Sequence, residues 1–227
     1  MQAKIRRDRK TKVLLVAIVS TVIVFIPVRS AQSFVESKIA DSSVSEVRIG
    51  VFGLFHPRRL TVGSPSGSAV VIHAGEESIV LEKSSGIDSA SVNISGTNLT
   101  VTVGARIIQA SKITVTGREN EHADFVLSVP DKISRHFHGL VEIEPTAGTL
   151  TTVVTMNREA AVASVVAAEA APDAPFEALK AQAVATRSYF VAARGRHVEF
   201  DFCDTTHCQF LREVPAPASA EIGRAHV

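Results

Sequence analysis

A carboxylate, Glu169, ends an apolar stripe that predicts an amphipathic helix. Apolar residues recur about every 3.6 positions after Asn157, a suitable N-cap, and Val162, Val165, Val166 and Glu169 fall at i, i+3, i+4 and i+7. A carboxyl on a core-facing stripe loses hydration, and at a helix C-terminus it meets the negative end of the helix dipole. Both effects favour the protonated acid, so Glu169 is a candidate general acid. The alternative is a solvated carboxylate at a frayed helix end.

A second helix is predicted from Asp173 or a neighbour, with Pro175 in its first turn. Its predicted apolar stripe consists of Phe176, Leu179, Ala183 and Phe190. Lys180 and Arg187 lie seven positions apart and share another face, where they could hold an anionic or polyhydroxylated ligand. The alternative is an ordinary solvated helix face.

The loop FCDTTHCQF, residues 202–210, contains both cysteines of the chain. Cys203, His207 and Cys208 together with His197 could form a Cys₂His₂ metal site, which as a closed four-ligand set would be structural. In an oxidising compartment the two cysteines could instead form a small-loop disulfide, and the spacing alone leaves both alternatives open. Without a Gly-rich phosphate loop, a GxSxG elbow or an HExxH pair, the sequence gives no support to a simple serine hydrolase or zincin.

Short β-branched segments occupy the hundred residues before these helices. Eight of them are separated by Gly, Ser, Pro and Asn: VRIGVF, AVVIH, SIVLE, NLTVTV, KITVT, DFVLSV, LVEIE and LTTVV. This spacing is typical of antiparallel hairpins in a small sheet or sandwich. The sequence therefore predicts an α+β fold, with a β-rich part at 46–156 and a helical part that carries the site at 157–220.

The N-terminus predicts export. Six Lys or Arg residues lie within the first twelve, and an uncharged apolar run follows from Val13 to Val28. Because the run ends at a poor cleavage site, residues 1–30 are expected to be an uncleaved signal anchor with a cytoplasmic basic head, followed by a stalk at 31–45. The alternative is a cleaved signal and a secreted protein. Beyond the head, 18 basic residues face 22 acidic ones, and the chain has no Trp and one Tyr. This composition argues against a nucleic-acid-binding protein.

The last seven residues, EIGRAHV, match the translation of a common sequencing-adapter stretch. We expect residues 221–227 to be such an artefact and the natural chain to continue beyond Ala220. They are therefore excluded from reasoning about the fold and the site.

Several segments together resemble a known domain. VVAAEAAPDAPFEALKAQAVATRSYF followed by FCDTTHCQF resembles the SpoIID/LytB domain family (stage II sporulation protein D, amidase-enhancer-like). RHFHGLVEIEP and TTVVTMNREAAVASVVAAE resemble the strands and helix that precede them in that family. The resemblance covers about Val47 to Gln209. Because the family's domain continues well past the CQ of this loop, the resemblance implies a C-terminally truncated domain.

The resemblance implies an exported or membrane-anchored bacterial protein that acts on peptidoglycan glycan strands as a lytic transglycosylase, with Glu169 as its single acid/base. It also implies that Lys180, Gln182, Arg187 and Tyr189 line or support the glycan groove. Some family members bind zinc, which would fall here to His197, Cys203, His207 and Cys208 in a structural role. One alternative is a non-catalytic cell-wall-binding enhancer of an N-acetylmuramoyl-L-alanine amidase; another, a zinc amidase, would require an open metal position.

Overall fold

A computed structural model describes residues 46–171 and 173–212. The predicted anchor, the stalk and the adapter-like C-terminus lie outside these residues. Within the described ranges, no helix combines the length and the apolar character that crossing a membrane requires.

The described residues form an α+β fold of twelve strands and two α-helices. The strands, numbered in chain order, are β1 (Glu46–Val51), β2 (Arg59–Gly63), β3 (Ala69–Ala74), β4 (Glu77–Glu82), β5 (Ser89–Ser95), β6 (Asn98–Val103), β7 (Arg106–Ala110), β8 (Ile113–Thr116), β9 (Ala123–Val129), β10 (Ile133–Thr146), β11 (Thr149–Asn157) and β12 (Phe202–Cys203). The helices are α1 (Arg158–Glu169) and α2 (Phe176–Ala192).

The strands pair as two sheets that share β10. One sheet runs β12-β1-β11-β10-β8-β3-β4 and the other runs β10-β9-β2-β5-β6-β7. Every pairing between these described strands is antiparallel except that of β1 with the two-residue β12. Antiparallel strands with one face on the core show alternating burial, as β9 does with every second residue buried. This confirms the predicted arrangement of antiparallel hairpins.

All eight segments expected to be strands are strands. The sequence prediction missed β2, β5, β7 and β12. Of these, β5 has the sequence SASVNIS, in which the polar positions outnumber the apolar ones, and β12 is too short to show any alternation. Pairing with neighbouring strands forms β5 and β12 in spite of the weak strand preference of their own sequences.

Gly139 lies where β10 passes from one sheet to the other. Residues 133–139 pair with β9, and residues 140–146 pair with β11. A Cβ atom built on Gly139 would lie 2.2 Å from the carbonyl oxygen of Thr155 on β11, so no larger residue fits without moving backbone. The close approach of these two strands therefore requires glycine.

Gly139→Ala is expected to destabilise the fold by about 3 kcal/mol, because overpacking against backbone forces the strands apart. Gly53→Ala is a matched control, since a Cβ there meets nothing within 4 Å. Denaturant unfolding of the two variants measures the difference. Equal stability of both variants would contradict the role of Gly139.

Both predicted helices are present. Asn157 caps α1 by accepting hydrogen bonds from the backbone N–H groups of Glu159 and Ala160, and Val162, Val165 and Val166 are buried as expected. Pro175 is the N-cap of α2 and not a residue of its first turn.

The predicted apolar stripe of α2 is only partly correct. Ala183 and Phe190 are buried, but Phe176 is 52% exposed. Its ring lies 5.1 Å from the ammonium of Lys180, and this cation–π contact accounts for an aromatic residue outside the core. Phe190 packs on Phe202 of β12, with ring centroids 4.8 Å apart, and so joins α2 to the Cys/His loop.

Candidate active site and metal centre

Glu169 is the last residue of α1 and its side chain is exposed. The expectation of a buried carboxyl was wrong, because the buried face of α1 ends at Val166 and the chain becomes extended at Ala170. The carboxylate is nevertheless held: Oε1 accepts a hydrogen bond from the backbone N–H of Phe210 at 2.9 Å, and Oε2 lies 3.4 Å from the side-chain nitrogen of Gln182. The site therefore offers an oriented carboxyl that a large substrate can reach.

Arg187 connects the two helices. Its guanidinium donates to both carboxylate oxygens of Glu159, with three N–O distances between 2.5 and 3.0 Å. Partial burial opposes ionisation of Glu159, but hydrogen bonds and charge from Arg187 and Arg158 outweigh it and lower the pKa of this carboxyl. The bidentate pair fixes α2 on α1 and so fixes Gln182 near Glu169.

Arg187→Met is expected to reduce stability by about 1–2 kcal/mol at neutral pH, because both groups are partly exposed and the pair is only partly desolvated. Because folding lowers the pKa of Glu159, its ion pair with Arg187 stabilises the fold fully above the ordinary pKa of 4.5. This stabilisation is lost as the pH falls through the folded-state pKa. The stability difference between wild type and variant should therefore shrink below about pH 4.5. Urea unfolding across pH 3–7 measures it, and a difference that stays constant over this range would contradict the assignment.

The contacts given for the other predicted groove residues are with groups other than Glu169. Lys180 binds the Glu177 carboxylate at 2.8 Å, and the Tyr189 hydroxyl accepts a hydrogen bond from Arg196 at 2.6 Å. The Tyr189 ring packs on Phe202, with centroids 5.6 Å apart. Among the predicted groove residues, the contacts of the described chain bring only Gln182 to the carboxylate, and the glycan contacts of all four stay predictions.

His197, Cys203, His207 and Cys208 lie within one segment of twelve residues, and the fold of this segment brings their side chains together. Their ligand atoms all lie within 4.8 Å of one another. His197 Nε2 is 3.2 Å from Cys208 Sγ, and His207 Nδ1 is 3.6 Å from Cys208 Sγ and 3.7 Å from Cys203 Sγ. Both cysteines are free thiols, so the disulfide alternative is not what the structure shows. The cluster could hold a metal ion.

The donor set fits a tetrahedral ion. With Zn–S near 2.3 Å and Zn–N near 2.0 Å, ligand atoms around tetrahedral zinc are separated by about 3.3–3.8 Å. Three sulfur–nitrogen separations of 3.2–3.7 Å are close to that range, and the remaining separations within the cluster are at most 4.8 Å. Burial, followed by the charges of His207 and Arg196, lowers the pKa of His197 and favours the neutral imidazole that binds metals.

Buried polar contacts fix the Cys/His loop on Phe52, which follows β1, and on Arg135 of β10. Asp204 is 4% exposed, and its Oδ2 accepts from the backbone N–H of Phe52 at 3.1 Å and from Nη1 of Arg135 at 2.7 Å. Burial raises the pKa of Asp204, although Phe52 and Arg135 favour its charged form. Phe200 lies two residues before β12, and its ring covers Gly50 of β1. A Cβ atom on Gly50 would lie 2.5 Å from this ring.

Two cavities lie beside this loop. One of about 340 Å³ is walled by His197, Cys203 and His207 together with the turn after β1. The other, of about 220 Å³, is walled by Phe55, Arg135 and Phe210. Glu169 lines neither of these two; its carboxylate is exposed and lies next to the Phe210 backbone.

The sequence reasoning missed Arg135, Asp204 and the N–H of Phe210. A signal existed for Arg135, which shares the inward-facing positions of β10 with Phe137 and Val141. An arginine at a core-facing strand position requires an acidic partner. In the sequence, Asp204 lies between the predicted metal ligands Cys203 and His207. Only the fold shows that Asp204 is the acidic partner of Arg135.

Comparison with known proteins gives one match to a family model. Residues 146–225 match the SpoIID model, Stage II sporulation protein. The match confirms the resemblance noted in the sequence over that range, which includes α1, α2 and all four residues of the metal cluster. The described part of the fold before residue 146 lies outside it. No curated protein and no solved structure was found to be significantly similar.

Proposed function

We propose that this chain is a peptidoglycan lytic transglycosylase in which Glu169 is the only acid/base. The match to a stage II sporulation family supports a cell-wall role in sporulation. The observation that carries the finer proposal is the exposed carboxylate of Glu169, held by the Phe210 N–H at 2.9 Å within the matched segment. An oriented carboxyl that is exposed to solvent can be reached by a polymeric substrate.

In the first step, protonated Glu169 donates its proton to the glycosidic oxygen. The bond between this oxygen and C1 of muramic acid breaks, the departing sugar leaves with a new hydroxyl, and positive charge develops at C1. The Phe210 N–H stabilises the carboxylate that this step creates, because a hydrogen bond to an ionised acceptor is stronger than one to a neutral acceptor.

In the second step, the Glu169 carboxylate accepts the proton of the C6 hydroxyl of the same muramic acid. O6 then bonds to C1, closes a 1,6-anhydro ring and regenerates the acid. The proton from the C6 hydroxyl replaces the one that Glu169 gave to the departing sugar, and no water is consumed. One carboxyl therefore suffices, whereas glycoside hydrolases require a second carboxylate to activate water or to form a covalent intermediate.

Gln182 is proposed to bind glycan beside Glu169, since its amide already lies 3.4 Å from the carboxylate. Lys180, Arg187 and Tyr189 are proposed to line or support the rest of the groove along α2. In this proposal Arg187 acts through Glu159, because its bidentate pair sets the position of α2.

His197, Cys203, His207 and Cys208 are proposed to hold a structural zinc ion. When bound, zinc would supply a four-ligand brace for the loop, with no open position for water or substrate. Cys208 and Phe210 are two residues apart, so a fixed loop also fixes the N–H that orients Glu169. A zinc amidase needs a free coordination position, which a four-residue donor set does not leave.

The N-terminal segment is proposed to anchor the protein in the cell membrane, with the described fold on the extracytoplasmic side. Its partners there would be glycan strands and, in addition, a cell-wall amidase. Nucleic acid is not a proposed partner, since the chain beyond its basic head is net acidic.

Mass spectrometry of digested glycan strands tests the proposal. The expected products end in 1,6-anhydromuramic acid. Reducing muramic acid ends would show a hydrolase and would contradict the transglycosylase assignment. If the protein cleaves no strand but stimulates an amidase, and Glu169→Ala leaves that stimulation intact, the enhancer alternative would be correct.

A further inference from the structure

Arg135 is an almost buried cation at the start of β10. Its side chain is 10% exposed, and its guanidinium lies 5.5 Å from the centre of the Phe52 ring. It occupies a core-facing position of the strand, where a charge is costly unless it is paired. The predicted site did not include it.

One nitrogen of Arg135 contacts both ends of the segment from Asp204 to Leu211. Nη1 donates to the Asp204 carboxylate at 2.7 Å and to the carbonyl oxygen of Leu211 at 3.1 Å. Asp204 directly follows Cys203, and Leu211 lies three residues after Cys208. The guanidinium therefore joins the two ends of a segment that carries two of the four metal-cluster residues.

The segment held by Arg135 also carries the donor to Glu169. Phe210 directly precedes Leu211, and its N–H donates to Glu169 Oε1 at 2.9 Å. One peptide group separates the group that contains the Phe210 N–H from the group that contains the Leu211 carbonyl. Because each peptide group is rigid, only the φ and ψ angles of Phe210 and Leu211 lie between the two, and holding the Leu211 carbonyl limits where the Phe210 N–H can lie. A chain of contacts thus runs from Arg135 through Leu211 and Phe210 to the carboxylate.

We infer that Arg135 is a positioning residue that holds the Asp204–Leu211 segment and thereby aims the Phe210 N–H at Glu169. Its effect on the Phe210 amide stands on these contacts alone, whereas its effect on catalysis rests on the proposed function. A buried ion pair contributes little net stability compared with an apolar pair of similar volume. We therefore expect Arg135 to matter for the position of the Asp204–Leu211 segment more than for the stability of the fold.

The test uses the double variant Arg135→Met with Asp204→Asn. It removes both buried charges together, so that neither is left unpaired, and the side-chain carbonyl introduced by Asp204→Asn can still accept the Phe52 N–H. Arg106→Met is the matched control, because Arg106 pairs with Glu77 in an exposed ion pair away from the site. Circular dichroism and thermal melts establish that the variants are folded.

Amide hydrogen exchange at Phe210 is the primary readout. In the folded double variant this exchange is expected to be at least about tenfold faster than in wild type, since the Phe210 N–H is no longer held against the Glu169 carboxylate. In Arg106→Met it is expected to be unchanged. On glycan strands, kcat is expected to fall by about 10–100-fold with little change in KM, because a small misplacement lowers rate more than binding.

Unchanged exchange at Phe210 in the folded double variant would overturn the inference. If wild type itself releases no anhydro products, the proposed function fails while the exchange result still decides the role of Arg135. If the double variant does not fold, Arg135→Lys replaces it: its shorter side chain keeps a cation for Asp204 but loses the planar donor group. Faster Phe210 exchange in that variant supports the inference, and wild-type exchange overturns it.

Discussion

Glu169→Ala is expected to reduce the release of anhydromuropeptides by about 10³-fold or more. General acid–base catalysis is worth about 10²–10⁴-fold in one step, and in the proposed mechanism the same carboxyl acts in both steps. Because Glu169 is exposed, the fold should tolerate the change, with the melting temperature close to that of wild type. Release of muropeptides from purified sacculi measures the rate.

The matched control for this variant is Glu119→Ala, an exposed glutamate in the turn after β8. It removes a carboxylate without touching α1 or the Cys/His loop, and wild-type activity is expected. If Glu169→Ala retained more than about a tenth of wild-type activity, the general-acid role would be wrong, because the loss would be too small for removal of the acid.

Removal of the proposed zinc ion is expected to have the second large effect. A ligand at 1,000 times its dissociation constant stabilises the folded state by about 4 kcal/mol, and a structural zinc is bound at least that strongly. For a domain of this size such a loss lowers the melting temperature by roughly 10 °C. A chelator should therefore lower the melting temperature and make Cys203 and Cys208 reactive toward a thiol reagent.

Cys208→Ala should reproduce the effect of the chelator, with loss of zinc measured by atomic absorption. His56→Asn is the control: His56 lines the cavity beside the cluster but is not one of the four donors, and asparagine tolerates its left-handed backbone. Thiols that react only after reduction would show a disulfide and contradict the metal centre. Stoichiometric zinc in Cys208→Ala would contradict this ligand set.

Local sequence patterns predicted most of the fold because they report on burial. Alternation identified the strands that carry β-branched residues, and the helical repeat placed Val162, Val165 and Val166 on the buried face of α1. Patterns failed where pairing comes from distant residues. The two-residue strand β12 exists because β1 offers it an edge, which no window around Phe202 could reveal.

The site was predicted in part for the same reason. Residue type and spacing brought out Glu169 and the four metal-cluster residues, and the fold places those four together. The burial of Glu169 was predicted wrongly, because a periodic pattern does not show where the neighbouring elements stop. The Phe210 N–H was not predictable, since a backbone donor has no sequence signature and its position depends on the Arg135 contacts.

Cleavage of purified glycan strands in ¹⁸O-labelled water tests the central claim most directly. If Glu169 transfers the proton of the C6 hydroxyl and closes the anhydro ring, no oxygen from water enters the products, and mass spectrometry will find them unlabelled. A hydrolase would place one labelled oxygen at each new muramic acid end. Labelled products from wild type, absent with Glu169→Ala, would keep Glu169 as the acid but contradict the water-free mechanism.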